Sequence, residues 1–192
     1  MQFKEAGKYA IGLLTNRLPA NLCYHNVDHT LYVYNAAERL GKAEGVTGKD
    51  MKLLLTAAWF HDAGQIGGGI NHEFASCAIA REALPQFGYT AEDIERICAI
   101  IMATKIPQSP TDHLGEILAD ADLDYLGSDD FFATSEKLYH ELRLLGGTMS
   151  KEEWNRVQVK FLEEHHYFTK TARAEREIKK AQNLQLIKTE LK

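Results

Sequence analysis

Apolar positions recur with helical spacing along almost the whole chain, and no alternating run of strand-like composition extends beyond a few residues. The pattern predicts a first helix from about Phe3 to Leu18, stopped by Pro19, and a second from near His25 to Gly45. A third, from about Lys49 to Ala63, contains LLLTAAWF (53–60), which is apolar on nearly every face and so belongs in the middle of the molecule. The run QIGGG (65–69) breaks the chain, and Asn71 is placed to cap a fourth helix reaching about Phe87. Thr90 with Asp93 resembles a capping box for a fifth helix ending near Thr104, before the loop KIPQSP (105–110). A sixth helix carries LGEILADADLDYLG (114–127), and Ser128 is placed to cap a seventh that ends at Gly146 and Gly147. Ser150 with Glu153 opens an eighth, and a long last helix spans about Thr169 to Leu191. The expected fold is all-α, an irregular helical bundle in a single domain over residues 1–192.

Bulk properties narrow the class without naming a function. A chain of 192 residues can bury a sizeable core without disulfides. Its formal charge of -5, from 27 acidic and 22 basic residues, argues against duplex nucleic acid as a partner, because phosphate neutralisation needs clustered Lys and Arg. The Lys-rich stretch 170–192 reads as a solvated helix face. Cys23, Cys77 and Cys98 are odd in number and form no CxxC pair, which fits reduced thiols in a cytoplasmic protein. No signal peptide and no run near the roughly 18 apolar residues of a membrane span is visible.

Chemistry enters where polar residues interrupt apolar segments. His25 and His29, in YHNVDH (24–29), are four apart and would share one face of a helix, as joint metal ligands or as one ligand and one substrate contact; two surface histidines at a helix start is the plainer reading. His61 and Asp62 directly follow the most apolar helix, where burying a carboxylate without a partner would cost several kcal/mol. A metal ion can partner both groups, since imidazole and carboxylate are good ligands for zinc, iron or manganese; the plain alternative is a helix end with Asp62 facing water. Asp120, Asp122 and Asp124 alternate with Ala and Leu on an otherwise core-like helix. One of the three can complete a metal shell and the others can orient its histidines, or the three form a solvated acidic face. Asn71, His72 and Glu73 open a helix behind a glycine-rich loop, where free N–H groups favour phosphate. His72 there is a candidate for substrate or a second metal, or simply an exposed residue of a capping segment.

In order, these segments read H…HD…D, and the chain resembles the HD superfamily over roughly residues 21–130. FHDAG (60–64) followed by DAD (120–122) resembles many HD-domain phosphohydrolases, and YHNxxH resembles the matching segment of cyclic-nucleotide phosphodiesterases. The resemblance implies an HD-domain, phosphodiesterase-like fold with the metal-site core at about 21–130 and helices of 131–192 packed on it. It implies a divalent ion (Mn, Fe, Zn, Mg or Ni) held by His29, His61, Asp62 and Asp120, with Asp122 as the fallback for Asp120. His25 takes the position of the phosphodiesterase proton donor, which suits a side chain titrating near neutral pH. Catalysis would then rest on His25 and Asp62, with water activated by the ion attacking phosphorus. His72, Lys105 and Asp122 are the candidates for substrate binding.

Departures from the branches of that superfamily restrict the expectation. The stretch IIMATKIPQ (100–108) has neither the histidine pair nor the Gly-Tyr-Pro of the cyclic-dinucleotide branch, and AGQIG (63–67) lacks the Glu-Asp of the stringent-response hydrolases. A mononuclear centre is therefore expected, acting on a small-molecule phosphate ester such as a nucleotide or cyclic nucleotide. The alternatives are a non-catalytic nucleotide-binding signalling module and a di-iron oxygenase of HD type, the latter needing more histidine ligands than His72 supplies. No membrane partner is expected, and either a monomer or a homodimer is. His165 and His166 are read at a helix junction rather than in the pocket, His113 and His140 as exposed, and Trp59, Phe131, Phe132, Trp154 and Phe161 as core or groove packing.

Overall fold

The computed structural model describes residues 1–68 and 71–191. Among them are nine α-helices and no strand: α1 (Phe3–Arg17), α2 (Val27–Ala43), α3 (Gly48–Phe60), α4 (His72–Ala83), α5 (Ala91–Met102), α6 (His113–Asp122), α7 (Phe131–Leu144), α8 (Lys151–Glu164) and α9 (Lys170–Glu190). Three short 3₁₀ turns follow α3, α4 and α6: Ala63–Gly67 lies where the glycine-rich run predicts a break, while Leu84–Phe87 and Asp124–Gly127 stand where the pattern predicts the helix to continue.

Helix α3 lies in the centre, as its all-round apolar sequence predicts. Leu53, Leu54, Ala57, Ala58 and Phe60 are fully buried, and α1, α2, α5 and α6 pack around them. Gly7 lets α1 approach closely, since a Cβ there would sit 2.4 Å from the Trp59 ring. A second apolar cluster, including Tyr24, Leu126, Phe131, Leu162 and Ile187, lies where α7, α8 and α9 meet the turn after α6.

Both capping boxes form, at Thr90–Asp93 and Ser150–Glu153. Two other caps differ from expectation. Asn71 is left-handed at φ 68° and makes no side-chain cap bond, while α7 is preceded by Asp130, with Ser128 Oγ accepting from the Asp130 N–H at 3.2 Å. Helix α2 begins at Val27, where Asn26 Oδ1 accepts from the His29 N–H at 3.0 Å. His25 therefore lies ahead of the helix, and the shared helical face expected for His25 and His29 does not exist. Cys23 is half-buried, Cys77 and Cys98 are buried, and all three are free thiols. No helix among the described residues is long and apolar enough to cross a membrane.

Candidate metal centre

Three helix segments deliver donor atoms to one point. His29 comes from the first turn of α2, His61 and Asp62 from the end of α3, and Asp122 from the last residue of α6. His29 Nε2 lies 3.1 Å from Asp122 Oδ1, 3.4 Å from His61 Nε2 and 3.5 Å from Asp62 Oδ2. His61 Nε2 lies 3.2 Å from Asp62 Oδ2 and 3.5 Å from Asp122 Oδ1. Ligand atoms held by one ion at about 2.0–2.2 Å lie roughly 3.0–3.6 Å apart, so these spacings suit a shared cation.

The hydrogen bonding points the same way. His61 Nδ1 donates to the Ala58 carbonyl at 2.8 Å, which leaves a lone pair on Nε2 facing the cluster. Asp62 Oδ2 is buried and has no hydrogen-bond partner. Such an atom normally costs free energy, and a cation among four electron-rich atoms removes that cost. The histidines and carboxylates of the cluster also shift one another's titration. Burial opposes the charged ring of His61, but Asp62 and Asp122 outweigh it and hold its pKa well above the ordinary histidine value. Burial likewise pushes the two carboxyls up, yet the histidines hold both below the usual range: His61, His72 and His25 act on Asp62, and His29 and His61 on Asp122.

Asp120 is not part of this cluster, and the expectation that it is the distal ligand is corrected. Its carboxylate accepts from the Phe168 N–H at 2.8 Å, the Thr169 N–H at 2.8 Å and the Thr169 hydroxyl at 2.7 Å, at the start of α9. Two residues along α6 turn a side chain by about 200°, so Asp120 and Asp122 face opposite ways and only Asp122 meets the histidines. Asp124, beyond the helix end, accepts from both Arg39 and Arg176 and from Tyr32, a structural role that joins α2 to α9.

A cavity of about 500 Å³ opens onto the cluster, with His25, Asp62, His72, Glu73 and Asp122 at its polar end. His72 Nε2 lies 3.2 Å from Asp62 Oδ1, the carboxylate oxygen not turned to the histidine cluster. Gly64 permits this approach, since a Cβ there would lie 2.0 Å from the His72 carbonyl oxygen. Lys105 stands instead over the Phe74 ring, 4.6 Å from its centre, and is not among the cavity's lining residues. His165 and His166 border a separate, smaller cavity, and His113 and His140 are exposed as expected.

Sequence reasoning missed Glu141. This buried residue of α7 accepts from the backbone N–H of Tyr24 at 2.7 Å and of His25 at 3.0 Å, and it pairs with His25 Nδ1. Burial works against a charged His25 ring, but the Glu141 hydrogen bond, with Asp62 and Asp122 nearby, prevails and raises its pKa. Glu141 is held below the usual carboxyl range, because the hydrogen bond from His25 outweighs burial. The available signal was an acidic residue between Leu138 and Leu142 on the apolar stripe of α7.

Known proteins resemble this chain in sequence and in fold. An uncharacterized protein of Clostridium beijerinckii is 35% identical over 78 residues, covering 39% of this chain and 49% of that protein, so the match spans about half of the relative's length. A predicted HD superfamily hydrolase from an uncultured Thermotogales bacterium shares the fold with a TM-score of 0.66 at 19% identity, over 96% of this chain and 90% of that one. A Lactobacillus plantarum protein superposes with a TM-score of 0.69 at 22% identity, over 98% and 96%. The HD domain family model matches residues 26–124, more than half of the sequence and the stretch that holds His29, His61, Asp62 and Asp122, and the chain therefore belongs to the HD domain family.

Proposed function

We propose that this protein is a metal-dependent phosphohydrolase that cleaves a phosphate ester of a small molecule, with its ion held by His29, His61, Asp62 and Asp122. The observation that carries this reading is the convergence of donor atoms from His29, His61 and Asp122, with the unpartnered Asp62 Oδ2 3.2 Å from His61 Nε2 and 3.5 Å from His29 Nε2, at the polar end of a cavity that also contains His25. A divalent ion bound there would polarise a phosphoryl oxygen and make water a competent nucleophile at neutral pH.

The chain's own residues supply the rest. Glu141 occupies Nδ1 of His25 and favours the protonated ring, leaving Nε2 to donate a proton to the departing ester oxygen. The two backbone N–H groups that donate to Glu141 fix the carboxylate, so the ring is oriented before substrate arrives. His72, at the cavity wall beside Asp62, is placed to hydrogen-bond a non-reacting phosphoryl oxygen. The nucleotide or cyclic nucleotide expected from the sequence is one substrate class for such a centre.

The test is metal analysis of the purified protein together with hydrolysis of p-nitrophenyl phosphate and bis(p-nitrophenyl) phosphate. Wild type should carry a transition metal, Asp122→Ala should lose it, and Asp120→Ala should keep it. His25→Gln should keep the ion and lose about 10²–10⁴-fold in kcat. Ion retention without turnover of either ester class would reject the hydrolase in favour of a binding module.

A further inference from the structure

We propose that the organic group of the substrate is apolar, an alkyl, prenyl or aryl alcohol esterified to phosphate, and that it lies in the cavity between α7 and α8; the proposal rests on the phosphohydrolase reading of the same site. Beyond the polar end, the cavity wall is built from Leu126, Phe131, Leu138, Leu142, Trp154 and Phe161. Its volume of about 500 Å³ falls within the range of small-ligand sites.

Polar side chains of that wall, Gln158, Trp154 and Thr104, are already engaged. Gln158 Oε1 accepts from the Ser135 hydroxyl and Gln158 Nε2 donates to Asn155 Oδ1 at 3.1 Å, while the Trp154 indole N–H donates to Ser135 Oγ at 3.1 Å. The hydroxyl of Thr104 donates to the Ile101 carbonyl at 2.9 Å. A nucleoside entering this space would surrender its hydrogen bonds to water for the base and ribose and find few partners, an unfavourable exchange for every buried group. An apolar chain loses no such bonds and gains from burial.

Charge and the mouth of the cavity favour the same occupant. No Lys or Arg is among the described residues that line it, so a nucleoside triphosphate would meet little to neutralise its chain of phosphates. At the lip, Ile106, Leu142 and Val157 are 51%, 39% and 45% exposed, an apolar rim facing water that a protruding hydrocarbon would cover.

The experiment is calorimetric titration of the metal-loaded protein with butyl-, hexyl- and octylphosphonate, kept below their micellar concentrations, and with adenosine monophosphate. Each added methylene should tighten binding about fourfold while it is being buried. Val157→Gln and Leu142→Gln, at half-exposed positions, should flatten that dependence without loss of bound metal or helix content. Affinity independent of chain length, or tighter binding of adenosine monophosphate than of octylphosphonate, would overturn the proposal. The two readings separate cleanly. Length-dependent binding with no cleavage of the matching alkyl phosphates would keep the apolar site and reject the hydrolase. Cleavage indifferent to chain length would keep the hydrolase and reject the apolar site.

Discussion

Individual side chains in this protein are set by what surrounds them rather than by their type. Eight histidines occupy different environments. His61 is buried between two carboxylates that hold its pKa up, whereas His165 is half-buried beside the Lys180 ammonium. Burial, with Lys180 and His166 adding to it, pushes His165 down to about 3, so its ring stays neutral in the folded protein. An unfolded histidine titrates near the ordinary value of about 6.5. Between that pH and about 3, the unfolded chain binds a proton at this position that the folded chain refuses. Stability should therefore be lost as pH falls through this window, by up to about 1.4 kcal/mol per pH unit from this residue. Urea unfolding of wild type and His165→Gln between pH 7 and 4 measures the difference, and parallel curves for the two proteins would contradict it. Glu141 is the residue-scale counterpart at the candidate site, a buried acid whose partner lies 116 positions away in sequence.

At the scale of elements, the aspartates of α6 show how a helix distributes roles. Asp122 faces α2 and α3, Asp120 faces the start of α9, and Asp124 stands past the helix end among two arginines. Asp120 acts as an additional cap for α9, whose own N-cap is Thr169, with its hydroxyl accepting from the Ala172 N–H. Removing it leaves the Phe168 and Thr169 N–H groups without that acceptor. Asp120→Ala should cost about 2–4 kcal/mol. Asp120→Asn should cost less, because it retains an acceptor without a buried charge. Chemical denaturation of both variants reads this directly, and equal stability of Asp120→Ala and wild type would remove the proposed anchor. The helix pattern of the chain was legible to within a few residues for most elements, because apolar spacing and caps such as Thr90 and Ser150 are local. The side of α6 that meets the histidines was not, because it depends on where α2 and α9 pack.

For the molecule as a whole, the cluster ties α2, α3 and α6 together at one point. An ion bound only by the folded chain would stabilise that chain by about 2.7 kcal/mol at a free concentration one hundred times its Kd. Stripping metal with a chelator should therefore lower the Tm, re-addition should restore it, and Asp122→Ala should respond to neither. A Tm in wild type indifferent to both treatments would contradict the shared ion. The C-terminal helices do more than cover the bundle: α7 supplies Glu141, and α7 and α8 supply most of the apolar cavity wall. From sequence, α7 and α8 read only as packing on the metal-site core, since the acidic Glu141 on the apolar stripe of α7 is a local sign that does not say what it faces.

The sequence by itself determined the all-helical architecture and the central burial of α3, because helix period is a property of neighbouring residues, and its likeness to the HD superfamily pointed to His29, His61 and Asp62, which the fold brings side by side. Tertiary structure alone decided for Asp122 over Asp120, the pairing of His25 with Glu141 and the apolar lining of the cavity. Each of those depends on the facing and distance of segments far apart in the chain, which packing sets and local spacing does not encode.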